Sequence, residues 1–364
     1  MVVMESESAR AKRCALDIIK SAYAGAAKAD HDVTSNVPWP AIFRLASADS
    51  CLASLCDCAL SKEASQPREV AALLTLFRDK GRERNAKIAG ILRETLTRLA
   101  SAGVEALALK GGAFLASCNA CSRSMLDIDL MIKPQDKERA SEVLKREGYM
   151  ISAQDNWYET LNHHHAPPLF DPSCAIAIEL HTRLAPNFDK YVISSDVIFA
   201  HAQIGSIGNS PVYIPSDTHR VVHLIIHSMV ADYGYWMAKI RLRDLIDLLE
   251  IQNAGRVDYG ELQATFAEIG YLGRAAGFLQ AAELLLSPSF RAPNWAASGR
   301  RWAERAARAF FDPEVVRGRR AVGQLVADIE AIAQNPRRLR IILLPERLKR
   351  FVAARCLPII NRRC

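Results

Sequence analysis

Two aspartates interrupt an otherwise apolar run, Leu126-Asp127-Ile128-Asp129-Leu130-Met131-Ile132, and this constrains the chain more than any other segment. Apolar residues of this kind read as a buried strand. Side chains on a strand alternate faces, so Asp127 and Asp129 project to the same side. Two carboxylates fixed that close repel each other, and unpaired charge inside an apolar run is expensive. A cation between them resolves the conflict. Hard oxygen ligands at this spacing suit Mg²⁺, which takes one or two carboxylates and fills its other positions with water and phosphate oxygens. A bare D-x-D arises about once by chance in a chain this long. The apolar context, not the pattern, gives this one its weight.

Upstream, Val104–Leu109 reads as a first strand and Lys110-Gly111-Gly112 as a glycine turn, where backbone N–H groups can approach a phosphate unhindered. Downstream, Pro134 opens an amphipathic helix running through Glu147 and stopped by Gly148, and Tyr149–Ser152 looks extended. Residues 175–180, Ala-Ile-Ala-Ile-Glu-Leu, form another apolar strand, interrupted by the single carboxylate Glu179. Phosphoryl and nucleotidyl transfer with two metal ions commonly needs such a third acidic ligand. Neutralising Asp129 is expected to abolish that chemistry and, without metal, to relieve repulsion.

Helical periodicity dominates either side. Segments near 9–27, 38–60, 69–79 and 81–102 recur at three and four, with Gly103 just beyond the last. Residues 216–280 return to helix, with Asp217 capping a segment through Val230 and a second amphipathic helix over Trp236–Ile251. The expected fold is α+β, a small mixed β-sheet core flanked by N-terminal and C-terminal helical regions. The expected division is 1–102 helical, 103–215 the α/β core, 216–300 helical and packed on the core, and 301–364 basic and helical.

The 364 residues carry a net charge of +7, unevenly placed. Residues 301–364 hold fifteen Lys/Arg against six Asp/Glu, so the excess lies wholly in that segment. Clusters such as Arg337, Arg338 and Arg340 attract an anionic partner, or form a solvated helical face. Few aromatics interleave them, which argues against single-strand nucleic-acid binding. No apolar run is long enough to span a bilayer, and Met1 to Arg13 lacks the apolar stretch of a secretory signal. Nine scattered cysteines fit reduced thiols in a cytoplasmic protein. Cys118 and Cys121 form a C-x-x-C without a second pair at zinc spacing. His163, His164 and His165 read as a polar segment beside the site, one of them available to substrate. His223 and His227 stand one helical turn apart, a metal-binding spacing, though packing is the favoured reading without a nearby carboxylate motif.

Several motifs occur in a fixed order. They are Trp39 to Ala46 (W-x-x-x-x-x-L-A), Glu83-Arg84-Asn85, Leu109-Lys110-Gly111, Arg123 to Leu130 (R-x-x-x-D-I-D-L), Ile178-Glu179-Leu180-His181 and Leu242 to Leu249 with Asp244 and Asp247. This combination resembles the polymerase-beta-like nucleotidyltransferase superfamily, and within it a bacterial family known only as uncharacterised nucleotidyltransferases. The resemblance implies Asp127, Asp129 and Glu179 as Mg²⁺ (or Mn²⁺) ligands and catalytic residues. It implies Gly111 and Gly112 as the triphosphate backbone contact, and Lys110 and Arg123 as charges offsetting phosphate. Lys110 serves equally well as a structural partner of one aspartate. His181 and Arg183 are placed to touch nucleotide or acceptor, with a core histidine the equal alternative for His181. The fourteen residues between Gly112 and Asp127 exceed the superfamily's usual gap. The implied reaction moves a nucleoside monophosphate from an NTP, with ATP first in line, to a hydroxyl or phosphate of a small molecule, peptide or protein. A phosphotransferase with the same acidic site is the near rival. A non-catalytic nucleotide- or peptide-binding partner protein is the distant one.

Overall fold

The computed structural model describes residues 5–23, 37–61, 66–117, 122–151, 168–173, 176–184, 193–312 and 314. Cys118, Cys121, the three consecutive histidines and nearly all of the basic C-terminal segment lie outside the described residues.

A five-stranded mixed sheet forms the centre, in the order β1-β2-β5-β4-β3. Its strands are β1 (Ala106–Ala108), β2 (Asp127–Ile132), β3 (Met150–Ile151), β4 (Leu169–Phe170) and β5 (Ala177–His181). β1 and β2 run antiparallel, while β2 and β5 run parallel with Asp129 opposite Glu179 and Met131 opposite His181. The inner face of the sheet packs Ile128, Leu130, Ile132, Ile178 and Leu180 against one core that also holds Leu92, Leu99 and Val212.

Before the sheet come α1 (Glu7–Tyr23), α2 (Trp39–Ala48), α3 (Leu52–Leu60) and α4 (Arg68–Ser101). The expected single helix over 38–60 divides in two, because Ser50 takes a left-handed backbone at φ 54°. The two expected helices between 69 and 102 are one helix of 34 residues. Gly81 sits inside it, where a Cβ would lie 2.5 Å from the Ala53 side chain of α3. The glycine marks a close helix crossing, not a break.

The expected glycine turn is instead the opening of a helix, α5 (Lys110–Ser117). Pro134–Asp136 makes one 3-10 turn before α6 (Lys137–Arg146), so the expected helix starts three residues late. After β5 come α7 (Ser195–Ala200) and a hairpin of β6 (Gln203–Ile207) and β7 (Ser210–Ile214), which carries no marked signal beyond Gly208 at φ 59°. The rest is helical: α8 (Asp217–Ile225), α9 (Gly234–Met237), α10 (Leu242–Asn253), α11 (Tyr259–Glu268), α12 (Leu272–Leu286) and α13 (Arg300–Phe311). Ser216, not Asp217, caps α8, its Oγ accepting from the His219 N–H. α8 gives way to a π-helical stretch, Ile226–Ala231. The expected helix over 236–251 is cut by Ala238, at φ 48°. A second core joins α1–α3 to α8–α13 through Ile19, Ile42, Leu55, Val222, Leu245, Phe266 and Phe278. The N- and C-terminal helices therefore share one interior beside the sheet.

Candidate functional site

Asp127, Asp129, Glu179 and His181 occupy one face of the β2–β5 pair, as the register requires. Asp129, 2% exposed, is the hub. Its Oδ1 accepts from Lys110 Nζ at 2.6 Å and lies 2.8 Å from His181 Nε2, which in turn lies 3.4 Å from Glu179 Oε2. Ligand atoms of Asp129, Glu179 and His181 all fall within 4.8 Å of one another, a grouping able to hold a metal ion. Both readings of Lys110 and His181 thus resolve toward the acidic face: each is a partner of Asp129.

Lys110 reaches Asp129 through a left-handed backbone, φ 42°, where β1 meets α5. A non-glycine residue there costs about 1–2 kcal/mol, a strain found most often at functional sites. Gly111 and Gly112 follow, both buried. A Cβ on Gly111 would sit 2.4 Å from the Met125 side chain, and one on Gly112 would sit 3.2 Å from Ala108. Their smallness lets α5 lie against β1 and the segment leading into β2. That segment is pinned from α4: Asn85 Nδ2 donates to the Arg123 carbonyl at 3.0 Å, and the Arg84 guanidinium reaches the Met125 carbonyl. Arg84 and Asn85 thereby set the approach to the D-x-D.

Burial opposes charge throughout this face. Even so, Lys110 and His181 hold the Asp129 carboxyl well below the usual carboxylate range. Burial likewise works against Lys110 and His181, but Asp129 raises both, with Glu179 also raising His181. Asp127 behaves oppositely. Burial and then the charge of Asp129 push it up, against the pull of Lys110. The repulsion expected at Asp129 falls on Asp127 instead. Neutralising Asp129 removes the carboxylate that Lys110 and His181 share, so these contacts argue for a loss where the sequence argued for relief.

Lys110, Arg123, Asp127 and Asp129 line a cavity of 220 Å³ between the sheet and the helical region. Gly111, Gly112, Glu179, His181 and Arg183 are not among its described lining residues. Arg183 forms an antiparallel bridge with Ser194 just past β5. Arg123 Nε donates to both oxygens of Asp247, at 3.0 Å each, and its guanidinium lies 5.2 Å from the Phe114 ring centroid. The opposite wall comes from α8 and α10, with Arg220, His223, Arg243, Asp244 and Asp247. Asp244 accepts from Ser228 Oγ at 2.7 Å. Asp244 and Asp247, named in the sequence only within the Leu242–Leu249 motif of the resemblance, supply carboxylates of this wall. His223 and His227 both line the cavity, with ring centroids 6.5 Å apart. Against the expectation of no carboxylate nearby, His227 Nδ1 lies 3.2 Å from Asp232.

Carboxylates thus cluster on one face of a small mixed sheet, beside a cavity lined by arginines. The family model described as uncharacterised nucleotidyltransferase matches residues 35–287, and the chain belongs to that family. It is an enzyme of the nucleotidyltransferase kind, whose substrates include a nucleotide. Among curated proteins and among solved structures, nothing matches it. No described helix is long and apolar enough to cross a membrane.

Proposed function

We propose that the protein is a Mg²⁺-dependent nucleotidyltransferase of the polymerase-beta-like type. It would transfer a nucleoside monophosphate from an NTP, ATP first among them, to a hydroxyl or phosphate of a small molecule, peptide or protein. The observation carrying this reading is the parallel register that sets Asp129 opposite Glu179, with Asp127 two residues back on the same face.

The donor set fits the ion. Three carboxylates share one sheet face, with ligand atoms of Asp129 and Glu179 close enough to share an ion. Burial followed by the Asp129 charge holds the Asp127 carboxyl up, a cost that a bound cation would relieve. Asp127, Asp129 and Glu179 would hold Mg²⁺, while the His181 nitrogen would favour Mn²⁺ as the alternative. Bound there, the cation supplies charge stabilisation at the transferred phosphorus. The chain's own groups do the positioning. Lys110 neutralises Asp129 in the cation-free protein and lies at hand for phosphate oxygens. Arg123, oriented by Asp247, presents positive charge to the same cavity. The backbone N–H groups of Gly111 and Gly112 open α5 beside it, and His181 and Arg183 stand next along β5. The acceptor oxygen bonds to the α-phosphorus as the bond to pyrophosphate breaks.

Incubation with each α-labelled NTP, Mg²⁺ or Mn²⁺ and a panel of acceptors tests this. Label transfer with pyrophosphate release, lost in Asp129→Asn, is the expected result. Transfer undiminished in that variant contradicts the assignment, and γ-phosphate transfer would favour the phosphotransferase. The reading includes a cytoplasmic location, supported by the unpaired thiols of Cys14, Cys51, Cys56 and Cys58. It also includes an anionic partner for the basic C-terminal segment. Neutralising Arg337, Arg338 and Arg340 together should weaken such binding and flatten its salt dependence, since exposed charges are screened beyond about 8 Å. Unchanged affinity and salt dependence would leave only a solvated face.

A further inference from the structure

Among the described residues, three buried nitrogens of the helical wall lack a hydrogen-bond partner, Arg220 Nε, His223 Nε2 and Arg243 Nε, the last of which has the Asp244 carboxylate 3.7 Å away. Arg220 and His223 lie three residues apart on α8, only 7% and 4% exposed, and both line the cavity with Lys110, Asp127 and Asp129. Arg220 Nη1 donates to Asp217 at 3.0 Å, and the guanidinium is fixed over the Phe114 ring, 4.5 Å from its centroid. Arg220 Nε and His223 Nε2 are buried without a hydrogen-bond partner among the described residues. Leaving such a group buried and unsatisfied costs its desolvation, and each case in a folded protein calls for an explanation.

The surrounding charge narrows what the missing partner is. Asp217, fully buried, serves two arginines, since Arg256 Nε also donates to it at 2.7 Å. Arg220 therefore shares its carboxylate with a second, largely exposed guanidinium outside the cavity lining. Among the lining residues, Asp247 is the carboxylate that also acts on it. Arg123 and Lys110, by contrast, each touch a lining carboxylate directly. Burial and the nearby charge of Lys110 keep His223 neutral, with His227 and His181 acting the same way and Asp129 opposing. A neutral imidazole donates from Nε2 in one tautomer, and an arginine Nε–H only donates. Two donors, one of them on a buried guanidinium, suit an oxyanion.

We propose that Arg220 and His223 form a phosphate-oxygen subsite in the helical wall, facing the acidic strand across the cavity. The choice of phosphate over carboxylate rests on the nucleotidyltransferase reading above. The phosphate belongs either to the NTP or to a phosphorylated acceptor, and both offer the same oxygens to the two donors.

Calorimetric titration of the full-length protein with inorganic tripolyphosphate, in EDTA, tests the subsite without turnover. Wild type should bind, and Arg220→Lys and His223→Leu should each lose about tenfold in affinity or more. His223→Gln, which retains a donor, should stay closer to wild type. Thermal unfolding checks each variant; if His223→Leu does not fold, Arg220→Lys decides, because it keeps the charge and moves the donor. Competition by ATP assigns the subsite to the nucleotide, and simultaneous binding assigns it to the acceptor. No binding by wild type, or equal affinity in all folded variants, overturns the proposal. Because the readout is binding, failed nucleotidyl transfer would sink the functional reading and leave this result standing, and the converse holds.

Discussion

The two walls of the cavity solve the same electrostatic problem in opposite ways. On the sheet face, three carboxylates share one lysine and one histidine, and burial followed by the Asp129 charge holds the Asp127 carboxyl up. On the helical wall, arginines and aspartates pair off, Arg123 with Asp247 and Arg241 with Asp232, while Arg220 shares Asp217 with Arg256, which lies outside the cavity lining. Their histidines part company accordingly: His181 is pushed toward its cation and His223 toward its neutral form. The proposed function would place a cation against the carboxylate wall and phosphate oxygens against the arginine wall. A metal–polyphosphate complex offers both.

Breaking the sheet side should have the largest effect. Asp129→Asn should reduce nucleotidyl transfer by more than about 100-fold, since even the partners of metal ligands cost 10–100-fold when removed. In EDTA the same variant should lose about 3 kcal/mol of stability, as Lys110 and His181 lose a buried counter-charge. Denaturant unfolding of the metal-free protein would read this, and an unchanged midpoint would deny Asp129 its role as hub.

On the helical side, Arg123→Met should cost about 3–5 kcal/mol, because Asp247 is left charged and buried. Adding Asp247→Leu should restore most of it. A double variant as unstable as the single one would show that Arg123 acts through Phe114 packing instead of through the ion pair.

The histidines give a smaller, sign-dependent contrast. His223 has its pKa lowered from 6.5, so the unfolded chain takes up protons first on acidification and stability is lost as pH falls below 6.5. One such group contributes about 1.4 kcal/mol per pH unit in that range. His181 has its pKa raised, so its contribution is fully present below 6.5 and is lost as pH rises through the folded value. His223→Gln should therefore flatten the acid loss between pH 6.5 and 5, whereas His181→Gln should leave that range nearly unchanged and remove a loss of stability above pH 6.5. Urea midpoints in EDTA on both sides of pH 6.5 check both signs. The smallest effect belongs to Asp127→Asn, which should raise apo stability by about 0.5 kcal/mol by relieving charge that Asp129 disfavours.

The sheet side was legible in the sequence because strand periodicity fixes which residues share a face. Asp127 and Asp129 needed only alternation, and Glu179 needed only an apolar strand around it. The helical side was not, because its meaning lies in pairs far apart in the chain, such as Arg123 with Asp247 or Arg256 with the carboxylate that Arg220 also uses. No local period reports that a carboxylate serves two arginines. Helix boundaries failed for a different reason. Ser50 and Ala238 adopt left-handed backbones without being glycine, and the π-helical turn after Ile225 replaces the α pattern without a proline. Packing imposes these shapes against local preference. Lys110 is the instructive case: the glycines after it suggested a phosphate turn, but they give way to Met125 and Ala108, and the strained residue is the lysine itself.

Titration of Mn²⁺ into the protein, followed by its paramagnetic resonance with and without a non-hydrolysable NTP, tests the central claim most directly. The account expects a site in wild type that tightens with nucleotide. It expects that site to be lost in Asp129→Asn and weakened in Glu179→Gln, with both variants folded. Mn²⁺ binding unchanged in these two variants, with or without nucleotide, would contradict it.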